Sequence, residues 1–162
     1  MDAVSKDAPL YSILGKVPSG IYILTARHGD EETGMLVSWV MQADFDPPML
    51  TVAVQRKRYL ADWLSEGTVF ALNVVGVHGK SLLAHFGRGF EPGQAAFEGL
   101  SLKRGPEETP LLSEGVIGYL ICRPTEHLDT GEHRVFAAQV VDGALCGNGE
   151  PMVHVRKSGA AY

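Results

Sequence analysis

From Gly20 to Val155 the chain carries seven short runs rich in β-branched and aromatic residues, at 20–27, 33–43, 49–55, 69–75, 115–123, 135–141 and 151–155. Runs of this length and composition, punctuated by glycine and proline, form strands. What lies between them decides the topology. A parallel sheet needs a crossover of a dozen or more residues, usually a helix, between successive strands, and regular alternation of strand and helix is missing. The helical patterns are few. Leu10, Ile13, Leu14 and Val17 share one face of a short helix ended by Pro18 and Gly20, 60–66 is stopped by Gly67, and Lys80–Phe86 by Gly87. The pattern predicts a mainly β fold, an antiparallel barrel with a few short helices set into its connections. With 162 residues and 45 % apolar content the chain has enough for one sizeable core, so a single domain over residues 1–162 is expected.

No apolar run approaches the roughly 18 residues that cross a bilayer, and the start lacks the basic flank and apolar stretch of an export signal. A soluble protein with no membrane partner is expected. The formal charge of -5 argues against a broad nucleic-acid surface. The turn Arg56, Lys57, Arg58 is a local exception, basic enough to hold one phosphate. Cys122 and Cys146 form no CxxC and make a thin disulfide framework, which points to a reduced, cytoplasmic setting. Cys122 lies in an apolar run and is expected in the core, whereas Cys146 lies in a turn and is expected exposed.

Several motifs imitate known sites and fail on inspection. VVGVHGKSLL sits between a strand and a helix as a phosphate-binding P-loop does, but has Val74 where that loop needs glycine. Gly143, Gly147 and Gly149 are not spaced as a dinucleotide fingerprint, and a hairpin turn is expected there. The six histidines show no metal-ligand spacing, and there is no GxSxG elbow. The irregular stretch 87–99 exceeds ordinary loop lengths and is a candidate lid or binding loop.

Taken in order, GIYILTAR, GMLVSWVMQADFDPPMLTVAV, RKRY, VFALNVV, LLAHFGRGF, GEHRVFAAQVV and PMVHVRKSGAAY resemble the short-chain flavin reductases, the flavin reductase-like FMN-binding split barrels, over nearly the whole chain. The most specific pieces are G-M-x-V-S, followed by D-P-P beginning nine residues after Val37, and the later G-E-H where the family usually shows G-D-H.

The resemblance implies a split barrel that binds FMN, with FAD as the variant, and takes hydride from NADH or NADPH. A flavin ring needs a flat apolar slot with hydrogen bonds to its polar edge, and its phosphate tail needs cations or free amides. Ser38, Trp39, Val40 and Gln42 lie at or beyond a strand end, where the backbone, the Ser38 hydroxyl and the Gln42 amide would address the ring edge and ribityl chain. By family position the basic turn holds the phosphate. Arg58, then Arg56, outrank Lys57 because a guanidinium offers two parallel donors. Phe86 resembles the family phenylalanine near the ring. His133, in GEHRVF, would lie beside the flavin or the nicotinamide and orient them. The sequence departs from the family at Tyr59 and Leu60, where many members carry a hydroxyl residue, and at Asp44, where serine is usual.

The implied assembly is a homodimer, and the implied acceptors are free flavin or a redox protein partner. Two other readings stand beside it: a flavin-binding electron carrier or redox sensor without productive nicotinamide oxidation, and a member of the pyridoxamine-phosphate-oxidase-like branch, which includes haem binders.

Overall fold

The computed structural model describes residues 3–162. Helix α1 (Pro9–Gly15) comes first, followed by strands β1 (Ser19–Gly20), β2 (Tyr22–His28), β3 (Glu31–Val37), β4 (Val40–Phe45) and β5 (Pro48–Gln55). Helix α2 (Tyr59–Ser65), β6 (Phe70–Val75) and α3 (Lys80–Phe86) come next, then β7 (Leu102–Arg104), β8 (Pro110–Leu112), β9 (Val116–Asp129), β10 (His133–Leu145) and β11 (Val153–His154). Seven strands form one sheet in the order β3-β2-β6-β9-β10-β5-β4, every pair antiparallel. The fold is mainly β, as the runs predict.

Its closure follows from one connection. The two edge strands, β3 and β4, are consecutive and joined only by Ser38 and Trp39. Six strand spacings of about 4.8 Å would put the edges of a flat sheet about 29 Å apart. Three Cα steps from Val37 to Val40 reach about 11 Å. The sheet must therefore curl until its edges meet, and Ser38 and Trp39 bridge the seam. This is the split of the barrel.

Side chains on both faces of the curl are covered. Inside, Leu24, Val52, Val54, Phe70, Leu72, Cys122 and Phe136 pack with Leu60, Ala61, Trp63 and Leu64 of α2, which plugs the barrel. Outside, Ile23 and Val75 pack under Leu82 and Phe86 of α3 with Phe97. Strand β2 thus reads as a continuous buried run, Ile23 through Ala26, because alternate residues serve different cores. Buried Asn73 ties β8 to the barrel: its amide donates to Ile23 O and Thr25 Oγ1, and its Oδ1 accepts from Leu112 N–H.

The structure corrects three local expectations. The run 33–43 is two strands, since β3 pairs with β2 and β4 with β5. Strands β9 and β10 run beyond 115–123 and 135–141, as a long hairpin in which the second half of each strand is largely exposed. The glycine-rich segment after β10 is no hairpin turn, because β11 pairs with β1 while β10 pairs with β9 and β5. In the stretch 87–99, Ala96 and Phe97 are buried and His85 Nε2 lies 2.7 Å from Ala96 O, while Gly87 and Gly89 line a hollow. Cys122 is buried and Cys146 exposed, as read from their settings. No helix among the described residues is long and apolar enough to cross a membrane.

Candidate functional site

The seam opens into a hollow of about 120 Å³ between the ends of β3 and β5. Met35, Leu36 and Val37 form one wall, and Ser38 and Trp39 continue it where the chain leaves the ladder. Ala53 and Gln55 of β5 face them. Phe86, at the end of α3 and 1 % exposed, makes an apolar side. Its ring lies so near β3 that a Cβ on Gly34 would stand 2.9 Å from Cε1, so glycine is needed there for the close approach. The hollow shares Ser38, Trp39 and Ala53 with an open apolar depression of about 470 Å³ lined also by Leu14, Val17, Val40 and Met41.

Arg58 gives the hollow its charge. It is the residue before α2, in extended conformation, and its side chain reaches the hollow and the neighbouring crevice beside Gly89. Its Nε is buried and has no hydrogen-bond acceptor. Gly89 has φ +76, and a Cβ there would collide with Arg58 Nη1. A guanidinium edge held against bare backbone, with a buried N–H lacking an acceptor, fits an anion. Arg56, two residues earlier, points elsewhere. Its Nη1 donates to Gly131 O at 2.9 Å and its Nε stands 3.5 Å from Asp129 Oδ2, so its charge is spent on the β9–β10 turn.

Trp39, 38 % exposed, is the centre of an aromatic group. His133 and Tyr162 lie against it with ring centroids 4.8 and 5.2 Å away, and Arg156 sits over its ring at 5.3 Å. His133 Nε2 is hydrogen-bonded to the Tyr162 hydroxyl. Burial holds the His133 pKa below the usual imidazole value, against the smaller opposing pull of Glu132, so the ring is neutral near pH 7. Burial likewise raises the Tyr162 phenol above its ordinary value.

The structure thus brings Ser38, Trp39, Arg58 and Phe86 together around one hollow, with Val40 on the adjoining depression. It does not bring Arg56 or Gln42 there. Gln42 is exposed on β4, donates to Asp44 O at 3.3 Å, and borders a separate apolar hollow with Tyr22 and Val140. A larger cleft of about 430 Å³ lies under the 93–98 stretch, but Asp30, Glu31, Glu32 and Glu98 line it. That wall repels phosphate. Sequence reasoning missed Tyr162 and Gly89 as site residues. For Gly89 the GRG signal was present, since a glycine beside a basic turn permits close approach; for Tyr162 no local signal existed.

Residues 14–160 match the family model described as a flavin reductase like domain. A putative diflavin flavoprotein A 3 of Synechocystis sp. is 37 % identical over 160 residues, covering 98 % of this chain and 26 % of that protein. Diflavin flavoprotein A 1 of the same organism is 33 % identical, covering 98 % of this chain and 28 % of that protein. The chain spans about a quarter of the length of these curated relatives. The NADH:FAD oxidoreductase SgcE6 of Streptomyces globisporus, also solved in complex with NAD and FAD fragments, superposes with a TM-score of 0.82 at 22 % identity over 96 % of this chain and 93 % of its own. The flavin reductase HpaC complexed with NADP+ superposes at 0.77 and 24 % identity, over 90 % of this chain and 91 % of its own.

Proposed function

The chain belongs to the flavin reductase-like domain family, and from that premise we propose that it binds FMN in the seam between β3 and β5 and catalyses hydride transfer to it from NADH or NADPH. The observation that carries the cofactor assignment is the Arg58 guanidinium, its buried Nε without an acceptor, set against Gly89. The bound flavin supplies the redox chemistry by accepting a hydride. The protein's part is binding and orientation.

Arg58 holds the phosphate through charge-assisted hydrogen bonds, which are stronger than neutral ones. Phe86 and Met35 give the ring an apolar slot, and the Ser38 hydroxyl offers a hydrogen bond at its edge. Trp39 closes the slot toward the 470 Å³ depression, whose apolar floor excludes water from the approach of the nicotinamide. Holding donor and acceptor rings face to face at reacting distance contributes several kcal/mol of barrier lowering. His133 is neutral and acts by orientation, with no proton transfer required at the hydride step. Arg56 braces the β9–β10 turn that carries His133. FAD is the second cofactor reading, supported by the fragments bound to the SgcE6 structure.

A second copy of the chain covers the depression in this reading. Leu14, Val17 and Met41, which line the depression, are 46, 63 and 70 % exposed, an apolar face that a homodimer would bury. The electrons then pass to free flavin or to a redox partner; the match to one quarter of the diflavin flavoproteins supports a second flavin centre as acceptor. The steady-state test is oxidation of NADH or NADPH, followed by absorbance, with catalytic protein and added FMN or FAD. No flavin-dependent turnover with either nucleotide would exclude the reductase reading.

A further inference from the structure

The sequence places a histidine, His133, beside the bound rings, but the structure sets another side chain in front of it. Tyr162 lines the hollow, and His133 is outside its lining. We propose that Tyr162 is the side chain that meets the ligand, an aromatic ring carrying a carboxamide, and that His133 is the positioning residue that holds Tyr162. This rests on the flavin and nicotinamide reading above.

Three aromatic rings hold one another at the mouth of the seam. Tyr162 lies 5.2 Å from Trp39 at 32° and 5.9 Å from His133, and His133 lies 4.8 Å from Trp39. The Tyr162 hydroxyl bonds His133 Nε2. Tyr162 is 70 % exposed, yet the segment leading to it is fixed at several points. Arg156 N–H donates to Gly15 O at 2.9 Å, Gly159 N–H donates to Tyr11 O at 2.6 Å, and Arg156 Nη1 donates to Ala161 O at 3.3 Å while its guanidinium covers Trp39. Gly15 is required for this, since a Cβ there would come within 2.8 Å of Arg156 O. The side chain that faces the hollow is thereby carried on α1 and clamped to Trp39.

The hydrogen bond has a direction. A neutral imidazole accepts at one nitrogen, and a phenol that keeps its proton donates. In the tautomer proposed here Tyr162 O–H donates to Nε2, His133 carries its own proton on Nδ1, and the phenol oxygen keeps a lone pair for an N–H donor in the hollow. An acceptor there suits the N–H donors of a carboxamide. The titratable and charged groups around His133 are Glu132 and Arg134 beside it in the chain, Asp129 paired with Arg134 across the turn, the neutral Tyr162 phenol in front, and Arg156 across Trp39; Gln55, its partner on β5, is uncharged.

The test is a double-mutant cycle on FMN-loaded protein, with Tyr162→Phe, His133→Ala and the double variant reduced anaerobically by NADH and by NADPH. Beside it, the His133 ring is titrated by NMR in wild type and in Tyr162→Phe. Each single variant is expected to slow reduction about tenfold at saturating nucleotide, equal to about 1.4 kcal/mol, and the double variant no further. His133 is expected to titrate at higher pH in Tyr162→Phe, because the lost donor had favoured the neutral ring. Multiplying rate effects, normal reduction of Tyr162→Phe, or an unmoved or lowered His133 titration would each overturn the proposal. The NMR titration needs neither flavin nor nucleotide, so it separates the two levels of the claim. A wild type that neither nucleotide reduces defeats the functional reading, and the ligand-contacting role of Tyr162 with it, even where the titration shows the hydrogen bond.

Discussion

Replacing Arg58 with alanine should weaken FMN binding without weakening the protein. Among the described residues the guanidinium is the one cationic group lining the hollow, and hydrogen bonds to a charged partner contribute about 1.5–3 kcal/mol. Loss of these raises the FMN dissociation constant by about 10- to 150-fold. Riboflavin has the same ring and no phosphate, so its affinity should change little. Stability of the ligand-free protein has two opposing parts. Arg58 Nε is buried without an acceptor, a state that costs about 1–3 kcal/mol, and alanine removes it. Alanine also removes the packing of the side-chain stem beside Gly89, so the melting temperature should move little in either direction. The assay is a fluorescence titration of wild type and Arg58→Ala with each flavin, alongside a thermal melt. Equal losses for FMN and riboflavin would show that Arg58 is not the phosphate ligand, and unchanged FMN affinity would show that the seam is not the flavin site.

Gly89→Ala forces a left-handed backbone onto a residue with a Cβ, at about 1–2 kcal/mol, and pushes that Cβ into Arg58 Nη1. In the same titration it should cost FMN affinity more than riboflavin affinity. Asn73→Leu strands the Leu112 N–H in the core, at about 1–3 kcal/mol per orphaned group; a loss in urea unfolding below about 0.5 kcal/mol would show that the β8 tie is dispensable. Burial pushes the Cys122 thiol up from its ordinary value of 9.0 to about 12, so the native state keeps its proton longer than the unfolded chain. Its contribution is complete below pH 9 and is lost as the pH climbs toward 12, at up to about 1.4 kcal/mol per pH unit. Urea midpoints of wild type should therefore fall more steeply than those of Cys122→Ala above pH 9, and parallel curves would refute this.

The strands and helices were largely legible because β-branched runs and glycine stops are local signals. Lys80–Phe86 matches its expected bounds, and the helix expected at 60–66 begins one residue earlier. The break at Ser38 and Trp39 was not legible, since Val37 and Val40 continue one apolar pattern while their hydrogen-bonding partners change from β2 to β5. The site divides in the same way. Arg56 and Arg58 look equivalent in sequence, and only the fold, by bringing Asp129 and Gly131 beside Arg56, turns one guanidinium to a turn and leaves the other at the seam. Gln42 reads in sequence as lying at the same strand end as Ser38, but β4 starts afresh at Val40 and pairs Gln42 with Leu50, which puts it beside the hollow lined by Tyr22, Leu50 and Val140 and away from the seam. Tyr162 reaches Trp39 and His133 only through the packing of its segment on α1.

The most direct test of the central claim is anaerobic stopped-flow mixing of the FMN-loaded chain with NADH and, separately, NADPH, following the flavin absorbance near its long-wavelength band. A full bleach is expected with at least one nucleotide, in a single phase whose rate saturates with nucleotide concentration. A flavin that stays oxidised with both, while a chemical reductant bleaches it, would contradict the account and leave the chain a flavin-binding electron carrier.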